Sequence, residues 1–340
     1  MKELLIRCDG GVHVGLGHYS RCSALASELV RIGGVIRLVT RGERGTAERL
    51  LGLSASSVHY LSGQDGAEPD ANDLGVIGDH AEAAGLILID HYGASDAFLA
   101  RLQLFGTPLV VIDDDGLREL SNAEWIVNVG ADRSVGAYPG AARARQLLGL
   151  EYAMLRKSFS ENRRPKAGRG APRSVVVALG GAASVRHWQE VADVAELIDG
   201  ECHIWFLEEP RPEVSIPRNC RWTGRMSDPA PVMASADVAI SAAGTTALEF
   251  CCLGVPTILL PLVGNQHGIA RALERQGAAL VAWTFSKAEL ADGVWRVLRE
   301  PGLWGRMHTA ALGSVDGFGT RRIVSAIAPQ LENGAVSAAN

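Results

Sequence analysis

The chain has 340 residues, 47% of them hydrophobic and 21% charged, with a formal net charge of −5. At ~150 residues per domain this length suggests two domains, and the hydrophobic content excludes a disordered chain. An acidic balance without a basic stripe argues against a nucleic-acid partner, although a small local phosphate site remains compatible with it.

In chain order, short apolar runs alternate with longer segments of helical period. The first half carries runs at Leu4–Cys8, Val35–Val39, Leu86–Ile89, Leu109–Ile112 and Trp125–Val129. The second carries Val175–Leu179, His203–Leu207, Val238–Ile240, Thr257–Leu260 and Ala279–Ala282. Runs of this length between glycines read as buried parallel strands. Between them, "YSRCSALASELVRIG" places Cys22, Leu25, Ala26, Leu29 and Ile32 on one helical face. The alternation implies an α/β fold with parallel sheets. A basic stretch with two prolines, Ser160 to Ser174, interrupts it as a linker would. The expected organisation is a Rossmann-like domain over 1–160, a linker over 161–173 and a second Rossmann-like domain over 174–318. A terminal helix over 319–332 is expected to pack back toward the first domain, followed by a polar tail over 333–340. Two such domains facing a cleft would bind ligands beyond the carboxyl ends of their strands.

The stretch "GVHVGLGHYSRC" leaves the first strand just after Asp9. Gly15 and Gly17 permit close backbone approach, and His18 stands where the first helix should begin, at a mouth whose unpaired N–H groups suit an anion. The plainer alternative is a tight turn with a capping histidine. Asp90-His91-Tyr92 and Asp113-Asp114-Asp115 fall at later strand ends. The aspartate triplet reads as a turn with Asx bonds rather than as metal ligands, with Asp113 or Asp114 shaping the cleft. In the second half, one strand ends in Gly180-Gly181, and another runs into Ala243-Gly244-Thr245-Thr246. Small residues and hydroxyls at a helix start suit a diphosphate, and Glu249, about one turn on, suits a ribose diol. Capping threonines and a solvated glutamate are the alternatives.

No Cys or His cluster has metal spacing, and none of the six cysteines forms a C-x-x-C pair. Buried thiols in a reducing compartment are the reading that follows. No signal peptide or membrane span is visible, so a cytoplasmic location is expected. A nicotinamide-binding site is disfavoured, because "GLGH" lacks the third glycine and the second strand ends in Thr40-Arg41 instead of an acid.

The run "SADVAISAAGTTALEFCCLGVPTILLP…NQHGIA" resembles the nucleotide-binding half of two-domain GT-B enzymes that use UDP-sugars, such as the MurG-type transferases. The ordered blocks "IRCDGGVHVGLGHYSRC", "LILIDHYGASD", "VIDDDGL", "VVVALGGAA", "SAAGTTALEF", "GNQHGIA" and "VDGFGTRRI" narrow the resemblance to the PseG/SpsG family, over residues 2 to 328. What this resemblance implies is metal-independent, inverting cleavage of the C1–O bond of a UDP-linked amino sugar without a cofactor, as in pseudaminic acid synthesis. It implies His18 as the base, with Tyr92 and Asn265 orienting water or sugar hydroxyls. Asp9, His91, Gly15, Gly17, Gly180, Gly181, Met226, Ala243, Gly244, Thr245, Thr246, Glu249 and Gln266 would line the substrate. The backbone near Met226 would read uracil.

Three departures from the family pattern leave the sugar and acceptor open. Arg7-Cys8-Asp9-Gly10-Gly11 replaces the usual first block, no acid follows Gly180-Gly181, and Tyr19-Ser20 stand where apolar residues are usual. The acceptor is therefore water, as in a hydrolase, or a small molecule such as a sugar hydroxyl or heterocycle nitrogen, as in a glycosyltransferase. A non-catalytic nucleotide-sugar binder is a third reading, disfavoured because a binder has no need of a positioned base. The oligomeric state is not read from the sequence.

Overall fold

In the computed structural model, which describes residues 1–131, 137–165, 174–197, 202–224 and 226–333, each half of the chain is built on one parallel sheet. Contacts divide the chain into unit 1, Met1–Arg156 with the segment from Phe318, and unit 2, Lys157–Gly317. In unit 1 the order is β1 (Glu3–Cys8), α1 (Gly17–Arg31), β2 (Val35–Thr40), α2 (Thr46–Leu51), β3 (Val58–Tyr60) and α3 (Ala71–Ala81). It continues through β4 (Ala84–Asp90), α4 (Asp96–Gln103), β5 (Leu109–Ile112), β6 (Trp125–Asn128) and β7 (Arg145–Leu148). The seven-stranded sheet has the order β3-β2-β1-β4-β5-β6-β7. Cys8 pairs with Asp90 across β1 and β4.

Unit 2 begins with α5 (Lys157–Asn162), β8 (Ser174–Ala178), α6 (Val185–Leu197), β9 (His203–Phe206), β10 (Cys220–Trp222) and α7 (Ala230–Ser235). It goes on through β11 (Val238–Ala242), α8 (Thr245–Cys252), β12 (Thr257–Leu260), α9 (His267–Arg275), β13 (Ala279–Val281), α10 (Lys287–Arg299) and α11 (Leu303–Ser314). Its six strands run β10-β9-β8-β11-β12-β13. The last helix, α12 (Gly319–Asn333), belongs to unit 1 and packs on α1.

The central strands are apolar throughout because both faces are covered: every residue of β4, β5, β6, β11 and β12 is buried. Helix starts follow their side-chain caps. Asp70 and Asp73 form a capping box on α3, Ser95 accepts from Phe98 N–H on α4, and Ser286 accepts from Glu289 N–H on α10.

The apolar runs of the sequence coincide with ten strands. The three it does not mark, β3, β7 and β10, each stand at a sheet edge. Their sequences, "VHY", "RQLL" and "CRW", mix polar and apolar residues because an edge strand is covered less completely. The stretch expected to be a linker opens with Glu161 and Asn162 still in α5; its residues 166–173 lie outside the described residues, as do 334–340 of the expected tail. All six cysteines are buried thiols. Among the described residues, no helix is long and apolar enough to cross a membrane, and no group of three or more His, Cys, Asp or Glu side chains is placed to hold a metal ion.

Candidate active site

Strands β1, β4 and β5 are neighbours, so the residues leaving their carboxyl ends gather on one edge of the unit 1 sheet. His18 lies in the first turn of α1, which follows β1. Its Nδ1 is 2.7 Å from Asp90 Oδ1, at the last position of β4, and both side chains are buried. With Asp90 ionised, Nδ1 carries the proton and donates it to the carboxylate. That tautomer leaves the Nε2 lone pair available.

Arg21, one helical turn after His18, donates from Nε to Asp90 Oδ2 at 2.8 Å and from Nη2 to Asp90 Oδ1. Its Nη1 donates to Asp114 Oδ2 at 2.8 Å. Asp114, just beyond β5, also accepts from the Tyr92 hydroxyl at 2.8 Å. The Tyr92 ring meets the His18 ring edge-on at 4.7 Å between centroids. Burial alone would raise the pKa of Asp90, but the Arg21 charge, then His18, outweigh it and hold the carboxyl well below its ordinary range. Burial, then the Asp114 carboxylate, pushes the Tyr92 phenol up, so it remains a hydrogen-bond donor.

A second buried network lies beside the first. Asp9 pairs with Arg7 and accepts from Arg41 N–H at 2.7 Å, Gly66 N–H at 3.0 Å and His91 Nε2 at 3.0 Å. Arg7 and Arg41 both donate to Asp73, which also closes the α3 capping box. His91 accepts Gly93 N–H at Nδ1, so both ring nitrogens are occupied and it offers no free base. Asp9 and His91 line a cavity of about 40 Å³ with Val14, His18, Gly66, Asp90 and Tyr92. Their polar atoms are already engaged within the network.

The loop that carries the first glycines folds onto Asp65, which accepts His13 N–H at 2.9 Å, Val14 N–H at 3.0 Å and His13 Nδ1 at 2.8 Å. Gly15 adopts φ 73°, the left-handed region, while Gly17 faces open space. A Cβ at Gly66 would sit 2.3 Å from Val14 Cγ1, so this glycine permits the two loops to close on each other. Tyr19, set apart by the sequence reading, is a packing residue: it is fully buried and hydrogen-bonds Thr40 Oγ1. Asp113 and Asp115 accept Gly116 and Leu117 N–H groups as Asx turns do, whereas Asp114 belongs to the charged cluster.

In unit 2 the neighbouring strands β8 and β11 end in the expected small-residue loops, and β12 leads through "PLVG" to Asn265 and Gln266. Gly180 and Gly181 are exposed, and Gly180 has φ 68°. Ala243 is buried, and Gly244 caps α8 from an extended conformation. Neither Thr245 nor Thr246 side-chain caps α8. Glu249 is buried, which removes the solvated-face alternative. Gln266 accepts Leu262 N–H at 2.9 Å and lies against the space beside Gly244. Asn265 Oδ1 is buried and has no hydrogen-bond partner among the described residues, an arrangement that costs about 1–3 kcal/mol until something donates to it. Met226 follows β10 at the sheet edge, separated from β11 by β9 and β8; Arg225 lies outside the described residues.

The sequence reading gave Asp90 and Arg21 no role and took Asp113 or Asp114 only as shaping the cleft. A signal existed for Arg21, since residues three apart share a helix face with His18. No local pattern links Asp114 to either.

No protein-family model matches the chain. Over 267 residues it is 30% identical to the Sorangium cellulosum UDP-N-acetylglucosamine–N-acetylmuramyl-(pentapeptide) pyrophosphoryl-undecaprenol N-acetylglucosamine transferase, covering 71% of this chain and 62% of that protein's length. Over 290 residues it is 24% identical to the Bacillus subtilis spore coat polysaccharide biosynthesis protein SpsG, covering 81% and 82%. The S. aureus MnaA–UDP structure superimposes with a TM-score of 0.71 at 12% identity, over 98% of this chain and 97% of that one. With its two Rossmann-like parallel-sheet units, the chain has the GT-B fold.

Proposed function

We propose that the protein is a UDP-sugar-dependent, inverting sugar-transfer enzyme in which His18 is the general base. The observation that carries this reading is the His18–Asp90 hydrogen bond at 2.7 Å, with Asp90 fixed in turn by Arg21. In the step envisaged, Nε2 takes the proton of an acceptor O–H or N–H. The acceptor's lone pair forms the new bond to C1, the C1–O(phosphate) bond breaks, and its electron pair leaves on UDP. Such a base contributes ~10²–10⁴ to rate.

Unit 2 is assigned the nucleotide. The open backbone at Gly180-Gly181 and Gly244 suits phosphates, the α8 N-terminus adds its dipole, Glu249 takes the ribose, and the unpartnered Asn265 oxygen accepts a sugar hydroxyl. Tyr92 orients the acceptor through its oxygen lone pairs while its O–H donates to Asp114. Support comes from the transferase relative, whose name specifies a UDP-sugar donor, and from the UDP-bound structure that shares the fold.

The favoured acceptor is a small molecule. Hydrolysis, the PseG-like reading, is the second, favoured by one observation: the cavity of about 40 Å³ against His18 has room for water. A panel of UDP-sugars tests both, with UDP release followed by phosphorus NMR and the product anomer by proton NMR. Release only with an added acceptor, giving a joined product of inverted configuration, supports transfer. Release in plain buffer, giving the free sugar of inverted configuration, supports hydrolysis. No release from any member of the panel, with or without acceptors, contradicts both.

A further inference from the structure

Arg21 is shared by the two carboxylates beneath the candidate base. It reaches Asp90 through Nε and Nη2 and Asp114 through Nη1, and its Nη2 lies 3.2 Å from His18 Nδ1. Through them the chain of contacts is continuous from the His18 imidazole to the Tyr92 hydroxyl. The formal charges are −1 for Asp90, +1 for Arg21 and −1 for Asp114, so the cluster holds one negative charge more than it needs while His18 is neutral. When His18 gains a proton, the cluster becomes neutral.

Resting on the reading of His18 as base, we infer that Arg21 and Asp114 are positioning residues. Arg21 fixes Asp90 and Asp114 in one fork geometry, and Asp114 supplies the surplus negative charge that the imidazolium neutralises. Neither need touch the sugar. A fork with five donors on a rigid plane suits this task, because each carboxylate is held from a fixed direction and the imidazole ring with it. The groups that face His18 are Asp90 and Tyr92 at the end of β4, Arg21 on α1 and Asp114 after β5, with Asp9 and His91 across the cavity. Arg7 already balances Asp9, which leaves Asp114 as the carboxylate that tips the local count.

The test is the titration of the His18 ring, followed by NMR of its Cε1–H in the full-length protein without substrate, beside the pH profile of kcat/KM. Asp114→Asn preserves shape and removes the charge. Its His18 midpoint should move to lower pH by about one unit, and the acidic limb of kcat/KM should move with it. Arg21→Gln removes the cation and should move the midpoint the other way. The double variant Arg21→Gln/Asp114→Asn restores the net count and should titrate near the parent, with a lower kcat because the fork is gone. The single variants are independent tests of opposite sign, so one remains if the other does not fold. A His18 midpoint unmoved in a folded Asp114→Asn or Arg21→Gln protein overturns the inference. Shifted midpoints in a protein that turns over no UDP-sugar would retain the charge coupling and discard the proposed reaction.

Discussion

The carboxyl-end edges of the two sheets are built in opposite ways. In unit 1, Arg7, Asp9, Arg21, Arg41, Asp73, Asp90 and Asp114 are all buried and paired, so charges are fixed before any ligand arrives. In unit 2, the loops after β8 and β11 are rich in glycine and alanine, the loop after β12 is "PLVGNQ", and its Asn265 Oδ1 is buried without a partner among the described residues. On the proposed reading, the first edge moves a proton and the second has its hydrogen bonds completed by the nucleotide sugar. A buried ion network is a poor source of net stability, but it is a strong way to fix geometry, because removing any member strands the others.

That difference can be broken most severely at Asp73. Asp73→Ala leaves Arg7 and Arg41 without their shared carboxylate and opens the α3 capping box. The expected loss is about 3–5 kcal/mol, confined to unit 1. Urea denaturation can separate the units, since six of the seven tryptophans lie in unit 2. Circular dichroism should show an early transition that tryptophan fluorescence largely misses.

On the other edge, Glu249→Ala should weaken UDP binding by ~1.5–3 kcal/mol, the range for a charge-assisted hydrogen bond. Calorimetry on the folded variant measures this, and an unchanged affinity would remove Glu249 from the nucleotide site. Acid should sharpen the contrast further. Burial alone would raise the Asp73 pKa, but the Arg41 hydrogen bonds and the Arg7 charge bring it to about 2, against an ordinary 3.8. A depressed carboxyl stabilises the fold above its unfolded pKa and loses that contribution as pH falls through the folded one. Unit 1 should therefore lose about 2 kcal/mol from this residue between pH 4 and pH 2, with Asp9 and Asp90, also depressed, adding to the loss. Pulsed hydrogen exchange at stepped pH should show unit 1 opening before unit 2. The smallest effect is expected at the loop over the cavity. Asp65→Asn weakens the hold on the His13 and Val14 N–H groups by about 1 kcal/mol, seen as faster exchange at those two amides alone.

Much of the fold was legible because central parallel strands are apolar on both faces, and runs such as "LILI" and "TILL" have no other economical reading. The edge strands were not, since "VHY" and "CRW" carry no such signal. At the site, the glycine-and-histidine loop and the strand-end "DHY" directed attention to His18 and Tyr92. What could not be read was pairing across the fold. Asp90 meets Arg21 over 69 positions and Asp114 meets it over 93, separations at which a single sequence carries no local pattern. Nor could the sequence say that Asp65 already occupies the amides of the first loop, which reading by motif leaves open to a ligand.

The central claim is that His18 acts as the base, and His18→Asn tests it most directly, with UDP-sugar turnover and UDP affinity measured on the same preparation. Asparagine removes the proton acceptor without adding bulk, so turnover should fall by ~10²–10⁴ while UDP binds as before and the parent's acidic limb disappears. Near-parental turnover in that variant would contradict the account and leave the loop as a capped turn between the first strand and the first helix.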